Sequence, residues 1–329
     1  MWVVVPDKNN MGERQMLTNA CIVIPCYNEE EVLGETAKRL LELFAEMKEK
    51  SMIADTSRIV FVDDGSRDRT WELIEKLGDE HEEIRGIKLA RNAGHQNALL
   101  AGLMTVRDEF DCAISIDADL QDDINVIPEM IKKFAGGCDV VYGVRNKRDT
   151  DTFFKRATAE GFYKFMQVLG ADIVFNHADY RLMSSRALEA LSEFSEVNLF
   201  LRGLVPMVGY KSDVVYYDRN ERFAGESKYP LKKMLSFAFD GITSLSITPI
   251  RVITMCGAVS CVIAVIMAIY IIVQKIMGHT SAGWASLMMS IWFLGGVQLM
   301  AMGLIGEYIG KIYKEVKRRP RYIIEEYRK

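Results

Sequence analysis

The sequence predicts an α/β domain built on a parallel sheet with helices on both faces, followed by an amphipathic juxtamembrane helix and a two-helix transmembrane hairpin. Three observations predict it. Between Ala20 and about Phe134, short β-branched runs alternate with longer amphipathic stretches; two uncharged runs of membrane-spanning length lie near the C-terminus; and basic residues crowd their outer flanks.

Residues 1–19 form an N-terminal extension, polar apart from Trp2 to Val5, and they lack the continuous apolar core of a signal peptide, so export is not expected. Residues 20–228 read as the globular domain. Cys21 to Pro25 has the composition of a buried strand, and Glu31 to Glu49 has helical spacing through Val32, Leu40, Leu43, Phe44 and Met47. Ile59 to Val62 is a second strand, Thr70 to Leu77 a helix, Ile84 to Leu89 a third strand, Gln96 to Val106 a helix, and Cys112 to Ile116 a fourth strand. Residues 139–210 are more irregular. In such a sheet, ligands bind beyond the carboxyl ends of the strands.

Residues 229–249 turn amphipathic, with Lys228, Lys232 and Lys233 at the start and Leu231, Met234, Leu235, Phe237 and Ile242 on the apolar side. A helix lying in the membrane interface fits this, and a core helix is the alternative. Val252 to Val273 and Ala285 to Gly306 carry no charge, and each matches the roughly 20 residues that cross a bilayer. Lys311, Lys314, Lys317, Arg318, Arg319 and Arg321 follow the second run and Arg251 precedes the first, whereas the connection holds only Lys275. Both termini and the globular domain are therefore expected on the cytoplasmic side of the plasma or inner membrane, with residues 311–329 as a basic tail against anionic headgroups. Gly306 and Gly310 permit close helix contact, so a homo-oligomer as large as a tetramer is expected; glycines that merely fit a lipid-facing helix are the other explanation.

The net charge of −4 argues against general nucleic-acid binding. Six cysteines, with no CxxC pair, read as free thiols of a reducing compartment.

Polar clusters end all four strands: Asn28-Glu29-Glu30, Asp63-Asp64-Gly65-Ser66, Arg91 to His95, and Asp117-Ala118-Asp119. Any one of them is explained by a cap or a turn, Ser66 for instance as a cap for the helix at Thr70. Four on one rim point to a site. Asp117 and Asp119 at a buried strand end would repel one another unless a cation were present, and hard oxygen ligands suit Mg2+ or Mn2+.

The segments IPCYNEE (Ile24 to Glu30), VDDGSRDRT (Val62 to Thr70), LARNAGHQNALLAGL (Leu89 to Leu103) and DADLQD (Asp117 to Asp122) resemble the family 2 glycosyltransferases of GT-A (Rossmann-like) fold, and within them the polyprenyl-phosphate glycosyltransferases. The two spans and the stretch from Gly295 to Ile323 are similar to the bactoprenol glucosyltransferase branch rather than to the dolichyl-phosphate mannose synthases.

The resemblance implies a UDP-sugar donor, with glucose first and N-acetylglucosamine or GDP-mannose behind, and a polyprenyl phosphate acceptor. It implies that Pro25, Tyr27, Glu29, Asp63 or Asp64, and Asp117 line the nucleotide-sugar pocket. Asp119, with Asp117, would hold the metal, and Asp122 would lie at the reacting centre. Arg145, Arg148, Arg181 and Ser227 would serve the acceptor or a phosphate, and Arg222 and Lys228 would handle phosphates in catalysis. Several cations converging on one pocket suit two phosphorylated substrates.

Departures from the family pattern are Asp123-Ile124, where many relatives have Pro-Pro, and a missing aromatic residue after Arg202-Gly203-Leu204. The absent QxxRW signature favours single-sugar transfer over polymerisation. A diacylglycerol or polysaccharide acceptor, and a non-catalytic nucleotide-sugar binder, remain as alternatives.

Overall fold

The computed structural model describes residues 17–146, 177–196, 201–218, 250 and 283–329, together with separate positions between 253 and 277. Strands β1 (Ala20–Cys26), β2 (Arg58–Asp63), β3 (Ile84–Leu89) and β4 (Cys112–Ser115) alternate with helices α1 (Leu33–Glu49), α2 (Thr70–Glu80) and α3 (His95–Val106). Then come α4 (Ile127–Ala135), β5 (Val140–Arg145), β6 (His177–Ser184), α5 (Ser185–Ser192), α6 (Leu201–Met207), β7 (Ser212–Tyr217), α7 (Trp284–Lys317) and β8 (Ile324–Arg328).

One 8-stranded sheet runs in the order β7-β5-β6-β4-β1-β2-β3-β8. The strands read from the sequence pair in parallel, β1 with β2 and β4, and β2 with β3. The sheet as a whole is mixed, which corrects the all-parallel expectation. β6 runs antiparallel between β4 and β5, and β8 runs antiparallel on β3.

Alternation along β1 shows how the two faces are divided. Ile22 and Ile24 point into a cluster with Leu33, Leu40, Phe44 and Met47 of α1, while Cys21 and Val23 point into a second cluster with Ala98, Leu99 and Leu103 of α3. Both faces of the sheet are covered by helices, as parallel β-branched strands require.

The C-terminal residues depart from the expected tail. α7 is 34 residues long, about 51 Å at 1.5 Å per residue, longer than the roughly 30 Å of a bilayer core, and Lys311, Lys314 and Lys317 fall in its last two turns. It contains the second expected span, and among the described residues it supplies the one helix long and apolar enough to cross a membrane, with no part of that stretch buried. Arg318 ends it in the left-handed conformation at φ 45°, and the chain returns to the sheet as β8. Arg321 donates to the Phe194 carbonyl at 2.7 Å, Arg328 pairs with Glu75 and Asp79, and Lys329 with Glu109. These three cations pair with the domain. The interfacial segment 229–249 and most of the first expected span lie outside the described residues.

Candidate functional site

Three loops meet at the carboxyl ends of β1, β2 and β3, bound to one another chiefly through backbone amides. The Asn28 N–H donates to Ser66 Oγ at 3.0 Å, the Glu29 N–H to Thr70 Oγ1 at 2.9 Å and the Arg67 N–H to Asn28 Oδ1 at 2.8 Å. Ser66 therefore joins two loops instead of capping α2. Asp68 meets that helix start, accepting the Thr70 N–H at 3.1 Å and the Thr70 hydroxyl at 2.6 Å.

Asp64 ties in the third loop, its two carboxylate oxygens accepting the Ala93 and Gly94 N–H groups at 2.6 and 2.9 Å. Gly65 makes the approach feasible: at φ +66° a Cβ would stand 2.7 Å from the Asn92 nitrogen. Asp63 accepts the Ser66 N–H, and both aspartates are buried. Burial raises each above the ordinary aspartate value, opposed by the Ser66 hydrogen bonds at Asp63 and by the Ala93 and Gly94 N–H groups at Asp64. A buried carboxylate with both oxygens on backbone amides is a strut, so the base and ribose contact expected of Asp63 or Asp64 is not one that Asp64 is placed to make.

The acidic pair follows β4. Ala118 between the two aspartates is buried, and its carbonyl lies 2.8 Å from the Thr36 hydroxyl of α1. Asp119 accepts the Gln121 N–H at 3.2 Å, and Leu120 between them sits at φ 55°, a left-handed conformation uncommon outside glycine. Desolvation pushes Asp117 up to about 6, against the pull of His95 and with the repulsion of Asp122, Asp179 and Asp119. His95, the first residue of α3, brings Nε2 to 3.4 Å from Asp117 Oδ1 and 3.9 Å from Asp179 Oδ2.

Among the described residues no group of three or more His, Cys, Asp and Glu side chains is arranged to hold a metal ion. Two carboxylates at an anionic rim still fit Mg2+ or Mn2+ whose remaining positions are filled by water and phosphate oxygens, the usual coordination of magnesium beside a nucleotide.

Asp122 is buried beneath this rim. The Tyr217 hydroxyl donates to Oδ1 at 2.5 Å, Arg145 Nη2 donates to the same oxygen at 3.1 Å, and Arg145 Nε donates to the tyrosine oxygen at 3.1 Å. Despite desolvation, Asp122 and Tyr217 hold the Arg145 guanidinium above its ordinary value. Burial and the Asp122 charge push the tyrosine up, so it stays a proton donor.

A second charged group surrounds Asp179. Burial opposes its ionisation, but Arg202, Arg181 and His95 hold it well below the usual carboxylate range. Arg181 is buried, donating to Asp179 Oδ1 at 2.7 Å and to the Leu201 carbonyl at 3.4 Å. A guanidinium sealed in this way cannot meet an acceptor phosphate, which corrects the role expected of it.

Of the residues singled out from the sequence, Pro25, Tyr27, Glu29, Asp63, Asp64, Asp117, Asp119, Asp122 and Arg145 share the carboxyl end of the sheet, with Tyr27 partly exposed beside buried Pro25. Arg148, Arg222, Ser227 and Lys228 lie outside the described residues. Sequence reasoning missed Tyr217, His95 as a partner of Asp117, and Arg202 as a partner of Asp179. His95 sat within a cluster already noted, but no local signal marks the tyrosine that ends β7.

Residues 21–192 match the model described as Glycosyl transferase family 2, and residues 248–312 the model described as GtrB C-terminal hairpin. The chain belongs to glycosyl transferase family 2, and its mixed α/β sheet is of the GT-A, Rossmann-like kind. It is a glycosyltransferase. It is 58% identical to the uncharacterized glycosyltransferase YkoT of Bacillus subtilis (strain 168), over 92% of this chain and 90% of the relative. It is 40% identical to the prophage bactoprenol glucosyl transferase homolog of Escherichia coli (strain K12), over 94% and 99%. With the bactoprenol glucosyl transferase of Shigella phage SfII it shares 41% identity, over 93% and 97%.

Proposed function

We propose that this glycosyltransferase moves one sugar, glucose from UDP-glucose, onto a polyprenyl phosphate at the cytoplasmic face of the membrane. The observation that carries the donor side is the Asp117-Ala118-Asp119 turn after β4, flanked by His95 and the Asp122–Arg145–Tyr217 group. The acceptor and the glucose are supported by relatives of about 40% identity named as bactoprenol glucosyl transferases, matched over nearly their whole length. Two membrane spans, of which the hairpin family match over 248–312 covers both, and oligomer contacts at Gly306 and Gly310 belong to the same reading.

A phosphate acceptor is ionised at neutral pH, so the site needs positioning and charge neutralisation more than a general base. The lipid phosphate oxygen attacks the anomeric carbon in line, the bond from that carbon to the nucleoside diphosphate breaks, and the diphosphate leaves with the electron pair, inverting the configuration. Tyr27 and Pro25 face the nucleotide with Glu29 beside them, and Asp122 orients the reacting centre. Asp119 and Asp117 would hold Mg2+ or Mn2+, whose charge offsets that of the departing diphosphate. Arg148, Arg222, Ser227 and Lys228 supply further phosphate contacts.

The test is transfer of labelled glucose from UDP-glucose to undecaprenyl phosphate by the purified full-length protein and by Asp119→Asn. A labelled, acid-labile lipid made by the wild type and lost in the variant is expected, with inverted anomeric configuration. A product that retains the donor's configuration overturns the displacement, and an acid-stable lipid product would indicate a diacylglycerol acceptor instead. No transfer with any of UDP-glucose, UDP-N-acetylglucosamine or GDP-mannose would favour a binding role.

A further inference from the structure

We propose that Arg202 binds a phosphoryl oxygen in the transfer site, of either the donor diphosphate or the acceptor phosphate; the inference rests on the transferase reading above. Two arginines converge on Asp179, and they are placed differently. Arg181 comes from β6 within the sheet and its side chain is 1% exposed, so it neutralises the carboxylate from inside. Arg202, from α6, reaches the same carboxylate from the rim: Nη2 donates to Oδ2 at 3.2 Å and Nε to Oδ1 at 3.4 Å, with the side chain 34% exposed.

The backbone beside Arg202 is held on both sides. The Leu201 N–H donates to Gln96 Oε1 at 3.2 Å, and the Leu201 carbonyl accepts from Arg181 at 3.4 Å. Gln96 adjoins His95, so the start of α6 is tied to the start of α3. Asp179 in turn lies 3.9 Å from His95 Nε2, and His95 lies 3.4 Å from Asp117. A continuous line from Asp117 through His95 and Asp179 thus ends on a partly exposed guanidinium. Asp179 orients that planar fork, the geometry that suits phosphate oxygens, within the same rim as the acidic pair expected to receive the diphosphate. Arg202 also lies in the interval between the two matched family segments, 21–192 and 248–312.

The experiment compares full-length wild type, Arg202→Gln and Arg202→Lys in detergent with Mn2+, measuring melting temperature, affinity for UDP and for uridine, and the KM for undecaprenyl phosphate. Arg202→Gln is expected to lose about tenfold or more in one phosphate readout. Weaker UDP binding with unchanged uridine binding assigns the donor diphosphate, a raised KM for undecaprenyl phosphate with unchanged UDP binding assigns the acceptor, and Arg202→Lys recovers part of the loss. Wild-type UDP affinity and wild-type KM in Arg202→Gln overturn the proposal, whatever the melting temperature, because Arg202 would then serve only Asp179. Should Arg202→Gln not fold, Arg202→Lys decides alone: weakened phosphate binding at unchanged melting temperature supports the contact, and wild-type values overturn it. If the wild type transfers no glucose to undecaprenyl phosphate, the donor and acceptor reading fails while the comparison of UDP with uridine still scores Arg202; a wild type that binds neither UDP nor undecaprenyl phosphate overturns both.

Discussion

Tyr217, the last residue of β7, donates its hydroxyl proton to Oδ1 of Asp122 at 2.5 Å, joining a strand at one edge of the sheet to the turn that follows the acidic pair. Arg145 bonds to both, so the three act as one group. Tyr217→Phe removes a buried hydrogen bond to a charged group and is expected to cost about 1.5–3 kcal/mol in stability, with kcat lowered more than KM. Asp122→Asn should lower kcat further. The double variant is expected to fall short of the sum of the singles, and additive effects in steady-state kinetics would mean that the hydroxyl and the carboxylate act independently.

Acid pH acts on the rim with a definite sign. Asp117 titrates at about 6 in the fold, against about 3.9 in an unfolded chain, so between those values the native state binds the additional proton and this group's contribution to stability declines as pH rises. Asp179 is shifted downward, so its contribution is present above the ordinary aspartate value and is lost as pH falls. Asp117→Asn is therefore expected to melt above the wild type at pH 7.5 without divalent metal and level with it near pH 4. Thermal melts at both pH values check this, and equal melting at pH 7.5 would contradict it.

Asp64 carries the β3–α3 loop on two backbone N–H groups. Asp64→Ala strands both donors and is expected to cost about 2–4 kcal/mol, with Asp64→Asn milder because one acceptor is kept. Gly65→Ala should be as damaging as Asp64→Ala, since the new Cβ meets backbone of the same loop at 2.7 Å. Urea titrations of the variants give the order directly.

The returning C-terminal strand covers the outer edge of β3 and binds through Tyr327, which meets Arg85 at 3.1 Å. A chain ending at Ile323 exposes that edge and is expected to melt several degrees lower and to aggregate more readily. Arg328→Ala should change stability by less than about 1 kcal/mol, because its pairs with Glu75 and Asp79 are largely solvated.

Local pattern was enough for the first half of the domain. Four strands and three helices were legible to within two residues at every boundary except the end of α2, which runs three residues past Leu77 to Glu80, because buried parallel strands are short, β-branched and punctuated by polar turns. β6 and β8 were not legible. A strand's direction is set by the neighbour it joins, and β8 carries the charges of a tail while drawing its stability from an edge far away in sequence.

The sequence alone determined the α/β class, the rim on which a site must form and the acidic pair within it, since these follow from periodicity and from residues adjacent along the chain. Tertiary structure decided which charged groups are buried as struts and which stay partly exposed at the rim. Arg181 and Arg202 look equivalent as letters. Their burial and partners depend on contacts between distant segments, and those contacts decide whether a guanidinium is sealed within the fold, as Arg181 is, or stays partly exposed at the rim, as Arg202 does.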